Sequence, residues 1–388
     1  MWSRSEVVAA QYGLTIEQLE LRGLIRRLAD ERVRPRAAAI DAAGEFPADV
    51  RELFAEHDLF GLPFEQHHGG TGTGTLMLCV AIEEIAKACA SSALILAVQD
   101  LATLPIKIAG STELQERVLP RFAAGEWLGA FALSEPDAGS DPAAMRTRAT
   151  RAEHGWVLNG VKSWISNCGV ADAYVVFAVS DPDIAPTKGI TAFLVEANSP
   201  GFSISRLEHK MGMRGSPTGQ PVLENVFVGD ENVIGDVGDG FKIALRTLDH
   251  SRLGIAAQAL GIAQGATDYA AAYARERVTF GTPLNEHQAI QFKLADMETG
   301  CAAGRELLYR AAAKTDRGEG DFGKYSAMAK LFCSDTAMAV TTEAVQILGG
   351  FGYVTEYPVE RMMRDAKLTQ IYEGTNEIQR IVIARSMR

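Results

Sequence analysis

A chain of 388 residues, 47% hydrophobic and 22% charged, holds enough apolar material for a large core and for two or three domains. Its formal net charge of -11 argues against nucleic acid as the main partner. Five cysteines, Cys79, Cys89, Cys168, Cys301 and Cys333, are scattered with no CxxC pair; they read as reduced thiols of an intracellular protein and not as a disulfide frame or zinc site.

From Met1 to Thr15 there is no apolar core of the signal-peptide kind. Residues 16–125 have helical texture. Leu19, Leu21, Leu24, Ile25 and Leu28 share one apolar face, and Pro47 opens a second helix through Val50, Leu53 and Phe54. His67 and His68 lead into a glycine-rich stretch that reads as a flexible solvent loop. No third ligand is spaced for a metal, and the glycines make no dinucleotide fingerprint. From Leu76 to Ala109 the chain is apolar and helical, broken near Cys89 to Ser92. Ala93 to Val98 is expected to be core, or the wall of an apolar pocket.

Near Gly129 the pattern changes to short β-rich runs: Gly129–Leu133, Trp156–Leu158, Tyr174–Val179, Ile190–Val195, Phe202–Ile204 and Val222–Val228. Gly, Asn, Asp and Pro clusters separate them at sandwich or barrel spacing. From Asp239 helices return, at 240–275, 283–316 and 321–347. Gly254, Gly261 and Gly265 form a small-residue stripe suited to close helix packing. The longest uncharged stretch, Leu253 to Thr267, is 15 residues and holds two glutamines, too short and polar to cross a bilayer. These features predict a soluble, cytoplasmic α+β protein with no membrane span. Its expected domains are helical at 1–126, β at 127–235 and helical at 236–388.

Near the end, Lys367 to Tyr372 reads as a strand end or approach loop, and Gly374 releases the backbone. Thr375 is placed to cap a new helix, with Glu377 in its first turn and Ile378, Ile381 and Val382 at helical spacing. Glu373 therefore sits on a Gly-hinged junction just before a helix, a place from which one carboxylate can be held against a substrate. Alone, such a Glu is ordinarily a solvated loop residue.

Other stretches carry signals that are weak singly. Phe131 to Asp141 ends a strand and enters a turn, and Asp141-Pro142 resembles a cap followed by proline at the first helical position. Such a turn presents N–H groups and hydroxyls suited to phosphate. Gly160 to Asn167 contains Trp164, whose ordinary reading is core. Arg277 to Gly281 reads alone as a solvated helix end, and Gln346 to Tyr353 as a turn.

Together, in this order and closing on Tyr372-Glu373-Gly374-Thr375, these motifs resemble the acyl-CoA dehydrogenase family from about Thr15 to Arg385. The stretches Thr247 to Ala256 and Gln291 to Met297 look most like its short-chain, butyryl-type branch. The resemblance implies an N-terminal helical domain, a middle β-barrel or sandwich and a C-terminal four-helix bundle. It implies FAD, a homotetramer built as a dimer of dimers, and α,β-dehydrogenation of an acyl-CoA to the trans-2-enoyl-CoA in fatty acid metabolism and β-oxidation. Glu373 matches the base that takes the α-proton, the flavin N5 takes the β-hydride, and electrons pass to an electron-transfer flavoprotein. The same resemblance implies that the Glu373 N–H and a flavin ribityl hydroxyl serve the thioester oxygen.

By the same resemblance, Phe131, Leu133, Ser134, Gly139, Ser140, Trp164, Ile165 and Ser166 line the flavin, with Ser140 also near the CoA chain. Arg277, Thr279, Phe280, His287, Gln288, Gln346, Ile347, Gly349 and Gly350 hold the FAD pyrophosphate and adenosine across a subunit interface. Thr375 and Glu377 flank the flavin, and Asp249, His250, Ser251, Arg252 and Gly374 contact substrate. No metal is implied. Phe131 lacks the aromatic hydroxyl often found at its position, and Pro221 with Gly229-Asp230 alters the strand pattern around Val222 to Val228. Ser251 occupies the alternative base position, which leaves Glu373 as the matching base. Ala93 stands about where glutaryl-specific relatives carry arginine, which disfavours a dicarboxylic substrate. Leu94, Leu96 and Leu101 are expected to close the floor of a short acyl pocket. The competing readings are a flavin oxidase or monooxygenase of the same fold and a catalytically silent assembly partner; the Tyr-Glu-Gly-Thr base, the end at Arg388, Arg252 and the flavin motifs speak against them.

Overall fold

The computed structural model describes residues 11–387; the first ten residues of the expected N-terminal domain lie outside them. The first helix fixes its own start. Thr15 Oγ1 accepts from the Gln18 N–H at 3.3 Å, while Gln18 Oε1 accepts from the Thr15 N–H at 2.9 Å. Among the described residues of the N-terminal third the α-helices are α1 (Ile16–Leu28), α2 (Ala37–Ala43), α3 (Ala48–Glu56), α4 (Gly74–Ala86), α5 (Ala90–Ala109) and α6 (Thr112–Ala123). α4 and α5 are apolar around most of their circumference and run through the interior, as such helices must. By length and composition α5 is apolar enough to cross a membrane, but 78% of that segment is buried inside the protein. It also carries an internal ion pair, Asp100 to Lys107 at 2.7 Å.

Nine strands follow, among the described residues: β1 (Gly129–Ala132), β2 (Arg148–Ala152), β3 (Gly155–Val161), β4 (Ile165–Ser166), β5 (Ala173–Val179), β6 (Ile190–Glu196), β7 (Phe202–Leu207), β8 (Thr218–Gly229) and β9 (Val233–Ile234). They form one connected sheet in the order β4-β8-β3-β2-β5-β6-β9, with β1 parallel to β5 and β7 against β8. Side chains alternate across the sheet. Val175, Phe177, Ala192 and Leu194 face Leu101, Ile106 and Phe122 of the helices. Tyr174, Val176, Phe193 and Val195 face Trp156, Leu158, Leu223 and Val226 of β3 and β8. The sheet therefore folds over one of its own cores and lays its other face on the helical domain.

The C-terminal helices are α7 (Gly240–Glu276), α8 (Gln288–Asp316), α9 (Phe322–Leu348), α10 (Pro358–Thr369) and α11 (Asn376–Arg385). α7 is the central rod. A Cβ on Gly261 would lie 2.4 Å from the Glu83 carbonyl oxygen, and one on Gly265 2.6 Å from that of Lys87, so the glycine stripe lets α7 lie directly on α4. Beside this contact sits a buried ionic cluster. Glu84 takes Arg22 at 2.6 Å, Arg26 at 3.0 Å and Lys87 at 3.0 Å, while Glu83 takes Arg305 at 2.8 Å and Tyr309 at 2.7 Å.

Several expectations need correction. Lys367, Leu368 and Thr369 are the last turn of α10, not a strand end. Val359, Met362, Ala366 and Thr369 point inward at helical spacing, but the charged outer face of so short a helix hides the period. The helix expected from 283 starts at Gln288, because Thr282–Pro283 pairs with Val278–Thr279 in a two-stranded hairpin. Strands β2, β4 and β9 were not anticipated. The glycine-rich loop is not loose at its start: His68 is buried in a 3-10 turn (Gln66–His68). Asp141-Pro142 opens only a three-residue 3-10 turn with no side-chain cap.

Candidate active site

Glu373 lies in the connection between α10 and α11, with φ 55 at Glu373 and φ 86 at Gly374. Two consecutive left-handed residues reverse the chain and turn the carboxylate inward. The following helix is capped by Thr375, whose Oγ1 accepts from the Ile378 N–H. The turn is tied down from three sides. Gln379 Nε2 donates to the carbonyls of Gly374 at 2.8 Å and Glu373 at 3.2 Å. Lys330 Nζ, from α9, donates to the Gly374 carbonyl at 2.9 Å and to Asn376 Oδ1 at 2.8 Å. The Tyr372 hydroxyl donates to Gln258 Oε1, and Gln258 Nε2 donates to the Ala90 carbonyl at 2.8 Å.

The carboxylate lines a narrow cleft. Leu94, Ala97, Val98 and Leu101 of α5, Ser251 and Ile255 of α7, Ser166 of β4, and Tyr372 line the rest. Leu94 and Leu101 are thus where the sequence put them. Leu96 is not on this wall; it is buried in the helical core. Ala93 to Val98 serves as core and cleft wall at once, because the helix packs on several sides. Ser251 Oγ donates to Glu373 Oε2 at 2.6 Å. Burial pushes the Glu373 carboxyl above its ordinary range, against the opposing pull of the Ser251 hydrogen bond and of Arg252 and Lys330. Among the described residues, the Glu373 N–H meets no protein acceptor.

Of the other expected substrate contacts, Asp249 and His250 do not line this cleft. Asp249 takes Arg252 Nη1 at 2.5 Å, and His250 packs its ring on Phe322 at 4.5 Å between centroids. Arg252 is buried beside Glu373, and its Nε has no partner among the described residues.

The expected flavin-lining residues form two groups. In the first, Ser163 N–H donates to the Ser134 carbonyl at 2.9 Å, and Asn167 Nδ2 to the Gly129 carbonyl at 2.9 Å, so β4 lies beside the end of β1. Trp164, at φ 63, is not a strand core residue: its side chain stands 60% exposed next to Ser166 at the cleft. Ile165 is buried, and Phe131 packs edge-on against Phe177. Lys162 Nζ reaches the Leu133 carbonyl at 3.1 Å and Glu135 at 2.8 Å, bracing that turn from beneath. An added Cβ at Gly139 would meet open space, Ser140 and Glu377 are exposed, and Thr375 is half-buried.

In the second group, Thr279 Oγ1 meets His287 Nε2 at 3.2 Å, and Arg277 lies over the Phe351 ring at 5.6 Å. Phe280, at φ 52, is 99% exposed. Gln288, Gln346, Gly349 and Gly350 are exposed beside open space, while Ile347 is buried. An outward arginine, hydroxyl, imidazole and bare glycine backbone suit a pyrophosphate, and an exposed indole beside open backbone suits a flavin ring; the residues fit FAD. The groups are not together within one chain. Ser251 and Arg277 stand 26 residues apart on the α7 rod and its end, roughly 39 Å at 1.5 Å per residue.

Sequence reasoning missed Lys330, Asn376, Gln379 and Ile255. For Lys330 a signal existed: a lysine on the inward face set by Ala327, Ser334 and Ala337. Among the described residues, no group of three or more His, Cys, Asp or Glu could hold a metal ion.

Family descriptions for the N-terminal, middle and C-terminal domains of acyl-CoA dehydrogenase match residues 15–126, 130–226 and 238–388. Cyclohexane-1-carbonyl-CoA dehydrogenase of Geobacter metallireducens is 47% identical over 365 residues, 94% of this chain and 95% of that protein. Butyryl-CoA dehydrogenase from Megasphaera elsdenii superposes with a TM-score of 0.94 at 43% identity, covering 96% of this chain and 98% of that one. A chain solved in work on the electron transferring flavoprotein of Acidaminococcus fermentans gives 0.95 at 41% identity, covering 97% and 99%.

Proposed function

The chain belongs to the acyl-CoA dehydrogenase family, flavoprotein oxidoreductases acting on CH–CH bonds in fatty acid metabolism, and from that premise we propose that it desaturates a short acyl-CoA thioester, with Glu373 as the base. The observation that carries this reading is the held carboxylate: Glu373, fixed in a left-handed turn, faces a narrow cleft walled mostly by apolar side chains. Its raised pKa matches the task, since a base works best near the operating pH. The cleft wall of Leu94, Val98, Leu101 and Ile255 excludes water from the acyl chain. Ser251 orients the carboxylate, which takes the α-proton and holds it on Oε. The Glu373 N–H is free to donate to the thioester oxygen as charge develops there. FAD, when bound, supplies the acceptor for the β-hydride and passes electrons on, for which we propose an electron-transfer flavoprotein as partner.

The 26-residue separation along α7 supports a second part of the reading. Arg277, Thr279, His287 and Gln346 serve the FAD of a neighbouring copy in a homotetramer, while Trp164 and Ser166 serve the chain's own. Small acyl groups are the substrate class, in keeping with the butyryl- and cyclohexanecarbonyl-CoA relatives. The deciding experiment is Glu373→Gln. The variant is expected to keep FAD and bind acyl-CoA, yet reduce its flavin anaerobically several orders of magnitude more slowly; near-parental bleaching refutes the assignment.

A further inference from the structure

Lys330 has no evident reason to be where it is. Its side chain lies in the interior, where an ammonium is costly unless charge and hydrogen bonds compensate it. Its two hydrogen-bond acceptors, the Gly374 carbonyl and Asn376 Oδ1, are neutral, and both belong to the turn that carries Glu373. Asn376 is held in turn by Ser334 at 2.9 Å and Asp335 at 2.7 Å, so the ammonium sits in a rigid cradle. Four charged groups face it: Glu373 on the turn, Arg252 on α7, Asp335 on its own helix and Glu377 on α11. Glu373 acts on it most strongly of these, and Arg252 opposes. A Leu or Met would fill the same space without the cost of burying a charge.

We propose that Lys330 is a positioning residue for the base: it pins the Glu373–Gly374 turn through the Gly374 carbonyl and sets a positive charge behind the Glu373 carboxylate. The inference rests on Glu373 being the base. The direction follows from the groups present. Burial lowers the Lys330 ammonium to about 7, with Glu373 pulling the other way. On the acid side the ammonium is charged and favours ionised Glu373. As pH rises it deprotonates and the help fades. Losing the charge therefore hurts on the acid side and leaves the alkaline side alone.

The test reads proton abstraction directly, without hydride transfer. Methylthioacetyl-CoA has sulfur at the β position and no hydride to give. Its α-hydrogen exchange into D2O, followed by mass spectrometry on the FAD-loaded protein, is measured across pH for the parent, Lys330→Gln and Lys330→Arg, with Glu373→Gln as background. Lys330→Gln keeps a donor but loses the charge. Its acid limb is expected to move up by about one unit, so exchange is roughly tenfold slower well below the limb's midpoint and converges with the parent on the alkaline plateau. Lys330→Arg is expected to keep the parental limb. A Gln variant with the parental limb, or one slowed equally at every pH, overturns the proposal, as does an Arg variant that shifts as far as Gln. Should Lys330→Gln not fold, Lys330→Met takes its place under the same criteria. Absence of Glu373-dependent exchange in the parent removes the base assignment itself, a different failure that the Lys330 variants do not enter.

Discussion

Leu101→Ala tests whether the cleft beside Glu373 measures the acyl chain. Leu101 is 9% exposed and faces the cleft from α5, with Leu94 on the same helix and Ile255 opposite. The substitution removes three carbons from the wall. A substrate three carbons longer can then bury them, at about 0.8 kcal/mol each. The gain is at most about 2.4 kcal/mol, or roughly sixtyfold in kcat/KM for that chain relative to the parent. The optimum should move from about four carbons to about seven, while four-carbon turnover falls from looser packing. Leu101 also belongs to the core between α5 and the sheet, so the variant should lose roughly 2 kcal/mol of stability. The assay is kcat/KM for straight-chain acyl-CoAs of four to ten carbons, on protein verified to carry full FAD. An unchanged optimum, with all chain lengths slowed alike, would show that Leu101 is only core and that the reasoning about the cleft is mistaken.

Two further outcomes are expected. Burial pushes the Glu84 carboxyl up, but the hydrogen bonds from Arg26 and the charges of Lys87 and Arg22 outweigh it and bring it down to about 2. A depressed carboxylate stabilises the fold above its unfolded pKa and loses that contribution as pH falls through the folded value. Glu84→Gln should therefore cost about 3 kcal/mol near neutral pH, measured by denaturant unfolding, and the gap to the parent should close as pH falls from about 4.5 toward about 2; a pH-independent gap would contradict the ion-cluster reading. Arg277→Ala should weaken FAD retention and assembly together while circular dichroism stays parental, since its guanidinium lies over the Phe351 ring and makes no ion pair among the described residues. Sedimentation with and without added FAD checks this, and a fully assembled, fully flavinated variant at submicromolar concentration would refute it.

Much of this molecule is legible in its sequence where burial is one-sided or complete. β5 and β6 are apolar throughout, and the glycine stripe of α7 announces its contact with α4. β2 was invisible because only Ala149 of its five residues is buried. α10 was missed because Arg361, Arg364 and Lys367 fill its outer face. At the site, the turn that carries Glu373 could be picked out from its Gly374-Thr375 neighbours. What surrounds it could not, because those contacts span the chain: Ser251 lies 122 positions away and Lys330 is 44 from the carbonyl it holds. Local sequence specifies the turn, whereas tertiary packing decides what charge the turn feels.

That turn places a glutamate at φ 55, where a glycine or an asparagine would rest with less strain. Holding a larger residue there costs roughly 1–3 kcal/mol, a cost that the proposed role as base would justify. A descendant copy of this gene released from catalysis would meet pressure in one direction at that position, toward a smaller residue that relaxes the backbone and firms the fold. Position 373 is therefore where loss of the activity would first be written, as a gain in stability.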